Sequence, residues 1–121
     1  MKRMSNMPTF EKLLGKIYSI SYGLGGYDDV QFGLTVELKG NGWGTVDFIG
    51  VWDYNHMKTP SEYASWTEES RTSKLVSLNR KISELLKITN VKTIDQLKNM
   101  PVEATFENGI LKSWRILTEV L

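Results

Sequence analysis

The stretch "VQFGLTVELKGNGWGTVDFIGVWD", residues 30–53, carries the clearest pattern in the chain. Val30, Phe32, Leu34, Val36 and Leu38 fall on one side of an extended backbone; Gln31, Gly33, Thr35, Glu37 and Lys39 fall on the other. A two-residue period of this kind is that of a strand with one buried face. "KGNGWG" is a turn cluster. The next strand, over 45–53, is apolar on both sides, with Val46, Phe48 and Trp52 opposite Ile49 and Val51. A strand covered on both sides lies inside a sheet or in an interface.

Upstream, residues 17–22 alternate Ile17, Ser19 and Ser21 against Tyr18, Ile20 and Tyr22, which makes another strand. The link to the quoted stretch is "GLGGYDD", with Gly23, Gly25 and Gly26. It lacks the spacing of a dinucleotide-binding or phosphate loop and does not lead into a helix, so it reads as a hairpin loop with residues at positive φ. Residues 1–14 have no continuous apolar core and read as a flexible lead-in, not a signal peptide.

Downstream, 54–66 is loop-like and holds the single histidine, His56. "SWTEESRTSKLVSLNRKISELLK", 65–87, then reads as a helix. Ser65 with Glu68 is a capping-box signal, and Leu75, Leu78, Ile82, Leu85 and Leu86 form one stripe. A short second helix over 93–98 ends before Pro101. "VEATF" and "ILKSWRIL" flank Asn108-Gly109, a type I′ hairpin signal. The expectation is an α+β fold: an antiparallel sheet of about five strands, with one long and one short helix packed on one face, forming a single domain over 15–121. One helix covers one face only, so the other is expected to meet a second copy.

Composition sets further bounds. A length of 121 residues suits one domain. Net charge is +1, which argues against non-specific binding to a nucleic acid polymer. There are no cysteines, so disulfide and thiol chemistry are excluded, and the composition fits a reducing cytoplasm. No apolar run is long enough to span a membrane.

Catalytic groups are sparse. His56 stands alone in its loop, and Asp28, Asp29 and Gln31 do not alternate like a calcium loop. Asp47 and Asp53 share a side of their strand; they either join an acidic cluster with Asp28 and Asp29 or sit in water. Gly33 and Gly50, inside strands, permit either close packing or the approach of a ligand.

The arginines are sharper. Arg71 lies on the apolar stripe of the helix, whereas Arg80 lies on its wet side. Arg71 must snorkel, pair with an acid or meet a ligand. Arg115 follows Trp114 in a strand; it either holds a phosphate while the indole stacks on a base, or pairs with Glu103 or Glu119. Trp43, Trp52, Trp66 and Trp114 exceed what one small core requires, which suits an oligomer interface or stacking platforms.

The segments "GKIYSISYGLGGYDDVQFGLTVELKGNGWG" at 15–44 and "PVEATFENGILKSWRILTEVL" at 101–121 resemble the first family of Thoeris anti-defence proteins, phage-encoded nucleotide sponges. The resemblance covers about two-thirds of the chain and leaves 53–70 unmatched. It implies a non-enzymatic protein without cofactor or metal, acting in the bacterial host cytoplasm. Such a protein would sequester a cyclic ADP-ribose isomer, or a cyclic di- or trinucleotide, and so block Thoeris immunity. It also implies a homodimer or higher homo-oligomer, with arginines on phosphate and aromatics on the base. The candidate ligand-binding residues are Arg71, Arg115 and Trp114, together with the hairpin group Tyr22, Gly25, Gly26, Tyr27 and Phe32. Three other readings compete: a small oligomeric phage structural protein with no small-molecule ligand, a nucleotide-cleaving enzyme using Asp47, Asp53 or His56, and a nucleic-acid binder.

Overall fold

The computed structural model describes residues 8–26, 29–52 and 68–121. Its order is β1 (Phe10–Gly25), β2 (Gln31–Gly40), β3 (Trp43–Trp52), α1 (Glu68–Thr89), β4 (Pro101–Glu107) and β5 (Ile110–Ile116), with 3-10 turns at Ile94–Leu97 and Thr118–Val120. The strands form one antiparallel sheet in the order β3-β2-β1-β4-β5. This is the α+β architecture expected from the sequence.

β1 is longer than its sequence pattern suggests. The part expected to be a flexible lead-in includes residues 10–14, and these pair with β4 from Phe10↔Glu107 to Leu14↔Glu103. A register shift between Ile17 and Ser19 explains the misleading pattern. Ile17 pairs with Leu38 and Ile20 with Val36, so the extra residue, Tyr18, reverses the phase of alternation partway along the strand. β3 begins at Trp43 and ends, among the described residues, at Trp52; Asp53, His56, Ser65 and Trp66 lie outside them. The short second helix is a single 3-10 turn, in which the Gln96 side-chain oxygen accepts from the backbone N–H of Lys92 (2.8 Å) and Thr93 (3.2 Å).

The core lies between α1 and one face of the sheet. Leu78 of α1 belongs to one buried cluster with Ile17, Leu34, Val36, Leu38, Leu97, Val102, Ala104 and Ile116. Each of these leucine, isoleucine and valine side chains, fully buried, contributes roughly 1.5–3 kcal/mol. Ile82, Leu85 and Leu86 of the expected stripe are half-buried against this cluster. α1 ends in a Schellman motif: Asn90 stands at φ 58, its N–H bonds Lys87 O at 3.2 Å, and the Val91 N–H bonds Leu86 O at 3.0 Å. At the other hairpin Asn108 (φ 52) and Gly109 (φ 81) are both left-handed, as a type I′ turn requires. The opposite, convex face mixes exposed Leu14, Tyr18 and Val46 with the charged residues Glu37, Lys39, Glu103 and Arg115.

The sheet is strongly coiled. β3 and β5 are its two edges. In a flat sheet they would lie four spacings apart, about 19 Å. Yet the Trp114 indole N–H of β5 donates to Asp47 Oδ2 of β3 at 2.8 Å. Glycines permit the curvature. Gly23, Gly33 and Gly50 align across three strands. A Cβ on Gly33 would overlap the Ile49 carbonyl oxygen and stand 2.5 Å from Gly50 Cα, whereas one on Gly23 would meet open space. At the far end the Trp43 ring lies across Gly15 and Gly40, donates to Leu14 O at 3.2 Å and meets Phe106 edge-on at 5.6 Å.

This geometry separates two glycines that look alike in sequence. Gly33→Ala should lower stability by roughly 1–3 kcal/mol, because backbone atoms fill the space. Gly23→Ala should change it by less than about 0.5 kcal/mol. Urea denaturation of both variants checks the contrast, and equal losses would show that curvature does not depend on close backbone approach at Gly33.

Candidate functional site

A cleft of about 710 Å³ opens where the two edges of the coiled sheet face each other beneath α1. Register decides which side chains enter it. Asp47 pairs with Val36 and Trp114 pairs with Ala104, and both partners are fully buried. Cross-strand partners share a face, so Asp47 and Trp114 both point inward. From α1 the cleft receives Lys74, Ser77, Leu78 and Lys81, whose i, i+3, i+4, i+7 spacing places them on one side of a helix. Lys112 and Ser113 complete the β5 wall.

The cleft therefore brings three lysines, one carboxylate, several hydroxyls and one indole to a common space. Trp114 is half-buried, and its ring is oriented by the bond to Asp47. The Lys81 ammonium stands 5.8 Å from the ring centroid, at the outer limit of a cation–π contact. Lys112 pairs with Glu107 at 3.3 Å. Among the described residues, no acidic group pairs with Lys74 or Lys81, and no lysine pairs with Asp47. The cations and the acceptor are thus held apart, an arrangement suited to a ligand with an anionic part, a flat part and a hydrogen-bond donor.

Of the candidate ligand-binding residues named from the sequence, the cleft receives Trp114; Asp47 and Gly50, which the sequence also marked, line it too. Arg115, next along β5, faces the other way. Its Nε meets Glu103 at 3.3 Å, and its two terminal nitrogens meet Glu119 at 3.1 and 3.0 Å. This is the ion-paired alternative, and it leaves Arg115 outside the cleft. Arg71 does not line the cleft; its Nε donates to Trp52 O at 3.0 Å and ties the start of α1 to the end of β3. Tyr22 and Phe32 meet edge-to-face at 5.1 Å near the β1–β2 loop, away from the lining. Gly25 lies under the Phe48 ring, where a Cβ would stand 2.8 Å from it. Gly26, at φ 74, opens the loop. Tyr27 lies outside the described residues.

Lys74, Lys81 and Lys112 were not singled out by the sequence. The helix spacing of the first two was visible, but what faces them was not. The sequence offers Asp47 as a member of an acidic cluster, a solvated acid or a catalytic carboxylate, not as the partner of an indole; Asp53 and His56 lie outside the described residues. No cluster of three metal-ligating side chains occurs among the described residues, and no helix there is long and apolar enough to cross a membrane. Comparison with protein-family models, with curated proteins and with solved structures finds no match.

The Arg115 arrangement carries a pH signature. The Glu119 carboxyl is held below its ordinary 4.5, first by the Arg115 hydrogen bonds and then by a backbone bond. A carboxyl lowered in the folded state stabilises the fold above its unfolded pKa, and that contribution is lost as pH falls through the lowered value. Both groups are exposed, so the effect is small and screened by salt. Arg115→Ala should lower the melting temperature slightly at neutral pH, and the difference should vanish below the carboxylate range. Melting curves from about pH 7 to pH 3 check this, and a difference that persists in acid would assign Arg115 a role other than pairing.

Proposed function

We propose that the chain is a phage anti-defence protein that captures a small anionic nucleotide, of the cyclic ADP-ribose type, in the cleft between β3, α1 and β5. It holds the ligand without turning it over and so blocks Thoeris immunity. The observation that carries the reading is one cleft shared by Trp114, the inward Asp47 that holds its indole, and Lys74 and Lys81, which have no acidic partner among the described residues. A base stacks on the indole, and lysines meet the phosphates as point charges. The volume is that of an ordinary small-molecule site.

Stacking and charge attraction act on the bound ligand as such. They favour the ground state as much as any transition state, so they give affinity without acceleration. Sequestration requires only that the cleft bind more tightly than the immune effector that reads the signal.

The test is direct. A cyclic ADP-ribose isomer is titrated calorimetrically, then incubated with the protein for hours and recovered after heat denaturation. Intact ligand in stoichiometric amount is expected. Lys74→Met combined with Lys81→Met should weaken binding by one to two decades, about 1.5–3 kcal/mol, and Arg115→Ala should leave it unchanged. Product beyond one equivalent would turn the reading to an enzyme. Failure to bind any cyclic nucleotide would favour the oligomeric structural protein.

A further inference from the structure

The carboxylate of Asp47 is unusual for its position. It projects from the buried face of β3, opposite the fully buried Val36 and two residues from Ile49, a half-buried neighbour of the core. A carboxylate on an apolar face is costly unless its lone pairs are occupied. Oδ2 accepts the Trp114 indole N–H at 2.8 Å. Oδ1 has no hydrogen-bond partner among the described residues. It is also not sealed in: no buried side-chain nitrogen or oxygen among the described residues lacks a partner. An unpartnered Oδ1 is therefore open, and the space it opens to is the cleft that Asp47 lines.

Holding the indole does not require a charge, since a neutral amide oxygen would accept the same N–H. The lysines do not need the carboxylate either, because none of them pairs with it. A negative group beside three cations also lowers the attraction of the cleft for a simple anion. What the free oxygen offers is an acceptor for a donor brought in by the ligand, close to the stacking platform and unpaired with any lysine.

We propose that Asp47 is a specificity-determining residue, whose Oδ1 accepts a hydrogen bond from a sugar hydroxyl of the bound nucleotide and makes the cleft selective for ribose over 2′-deoxyribose. The inference rests on the reading of the cleft as a nucleotide site. Sugar hydroxyls fit the position because the sugar joins the base, which stacks on Trp114, to the phosphates, which the lysines draw. Asp47 sits at the indole edge, held there by the N–H bond, so it meets the part of the ligand that leaves the ring. A deoxy sugar takes that donor away, and a site built to bond a hydroxyl rejects the analogue that lacks it.

Three probes separate the possibilities: ADP, 2′-deoxy-ADP and inorganic pyrophosphate, each titrated against the wild type and Asp47→Asn with indole fluorescence and calorimetry. The wild type is expected to bind ADP about 10- to 100-fold more tightly than 2′-deoxy-ADP, the range of a hydrogen bond to a charged group. Asn retains an oxygen for the Trp114 N–H but removes the charge. In Asp47→Asn the preference should shrink several-fold, while pyrophosphate, which brings no sugar, should bind equally or more tightly. These opposite signs would not arise from a loosened fold, which weakens all three probes together. Equal wild-type affinity for ADP and 2′-deoxy-ADP would overturn the role of Asp47 and leave the nucleotide reading standing. If neither nucleotide binds the wild type, the role of Asp47 falls, and the nucleotide reading is decided by the titration of the cyclic ADP-ribose isomer. The ribose comparison on the wild type stands even if the variant does not fold.

Discussion

One strand serves two hairpins, and the rest of the architecture follows from that. β1 pairs with β4 along 10–16 and with β2 along 15–25, so both neighbours are present together only at Gly15 and Lys16. The β2–β3 and β4–β5 hairpins therefore hang from opposite ends of the same strand. Both must bury their apolar faces under one helix of 22 residues, about 33 Å long. A flat sheet with this offset would spread beyond the helix. Coiling brings the hairpins under it, and the hydrogen bond from Trp114 to Asp47 joins the two free edges once they have met. The cleft is the gap that remains between edges that approach without pairing.

The parts of the fold that could be read from sequence are those set by local chemistry. The face of β2 is legible because Leu34, Val36 and Leu38 are fully buried and the residues between them are not. The Asn108-Gly109 turn is legible because both of its residues must take positive φ. β1 was under-read at its start because the bulge at Tyr18 reverses its alternation, and because Phe10 and Leu14 remain exposed despite their pairing. Nothing local marks a strand whose partner lies nearly a hundred residues away.

The candidate site shows the same division. Trp114 was legible as a large aromatic in a strand. The direction of Arg115 was implicit too, since the residue after an inward Trp114 must face outward, where Glu103 lies directly across from it. Arginine suits that outer position: its planar fork engages Glu119 with two nitrogens and Glu103 with a third. The lysines were not legible because lysine beside leucine on a helix normally marks the edge of a solvated face. Only the position of β5 turns Lys74 and Lys81 toward a cleft, and that position depends on pairing between β4 and β1.

A chain of net charge +1 can present a cationic cleft only by sorting its charges in space. The fold does this by sides. On the outer face Arg115 is balanced by Glu103 and Glu119, and Lys39 lies 3.6 Å from Glu37. Along the seam, Lys74 and Lys81 have no acidic partner among the described residues, Lys112 pairs with Glu107 at 3.3 Å, and the carboxylate of Asp47 is held by an indole. A seam site also differs from a pocket within one element. Its walls come from residues 47–50, 73–81 and 112–114, which only the completed fold brings together. The seam is already joined by the hydrogen bond from Trp114 to Asp47, so a ligand that touched all three walls would add contacts to edges that lack a backbone ladder and reinforce a closure that the fold makes by itself.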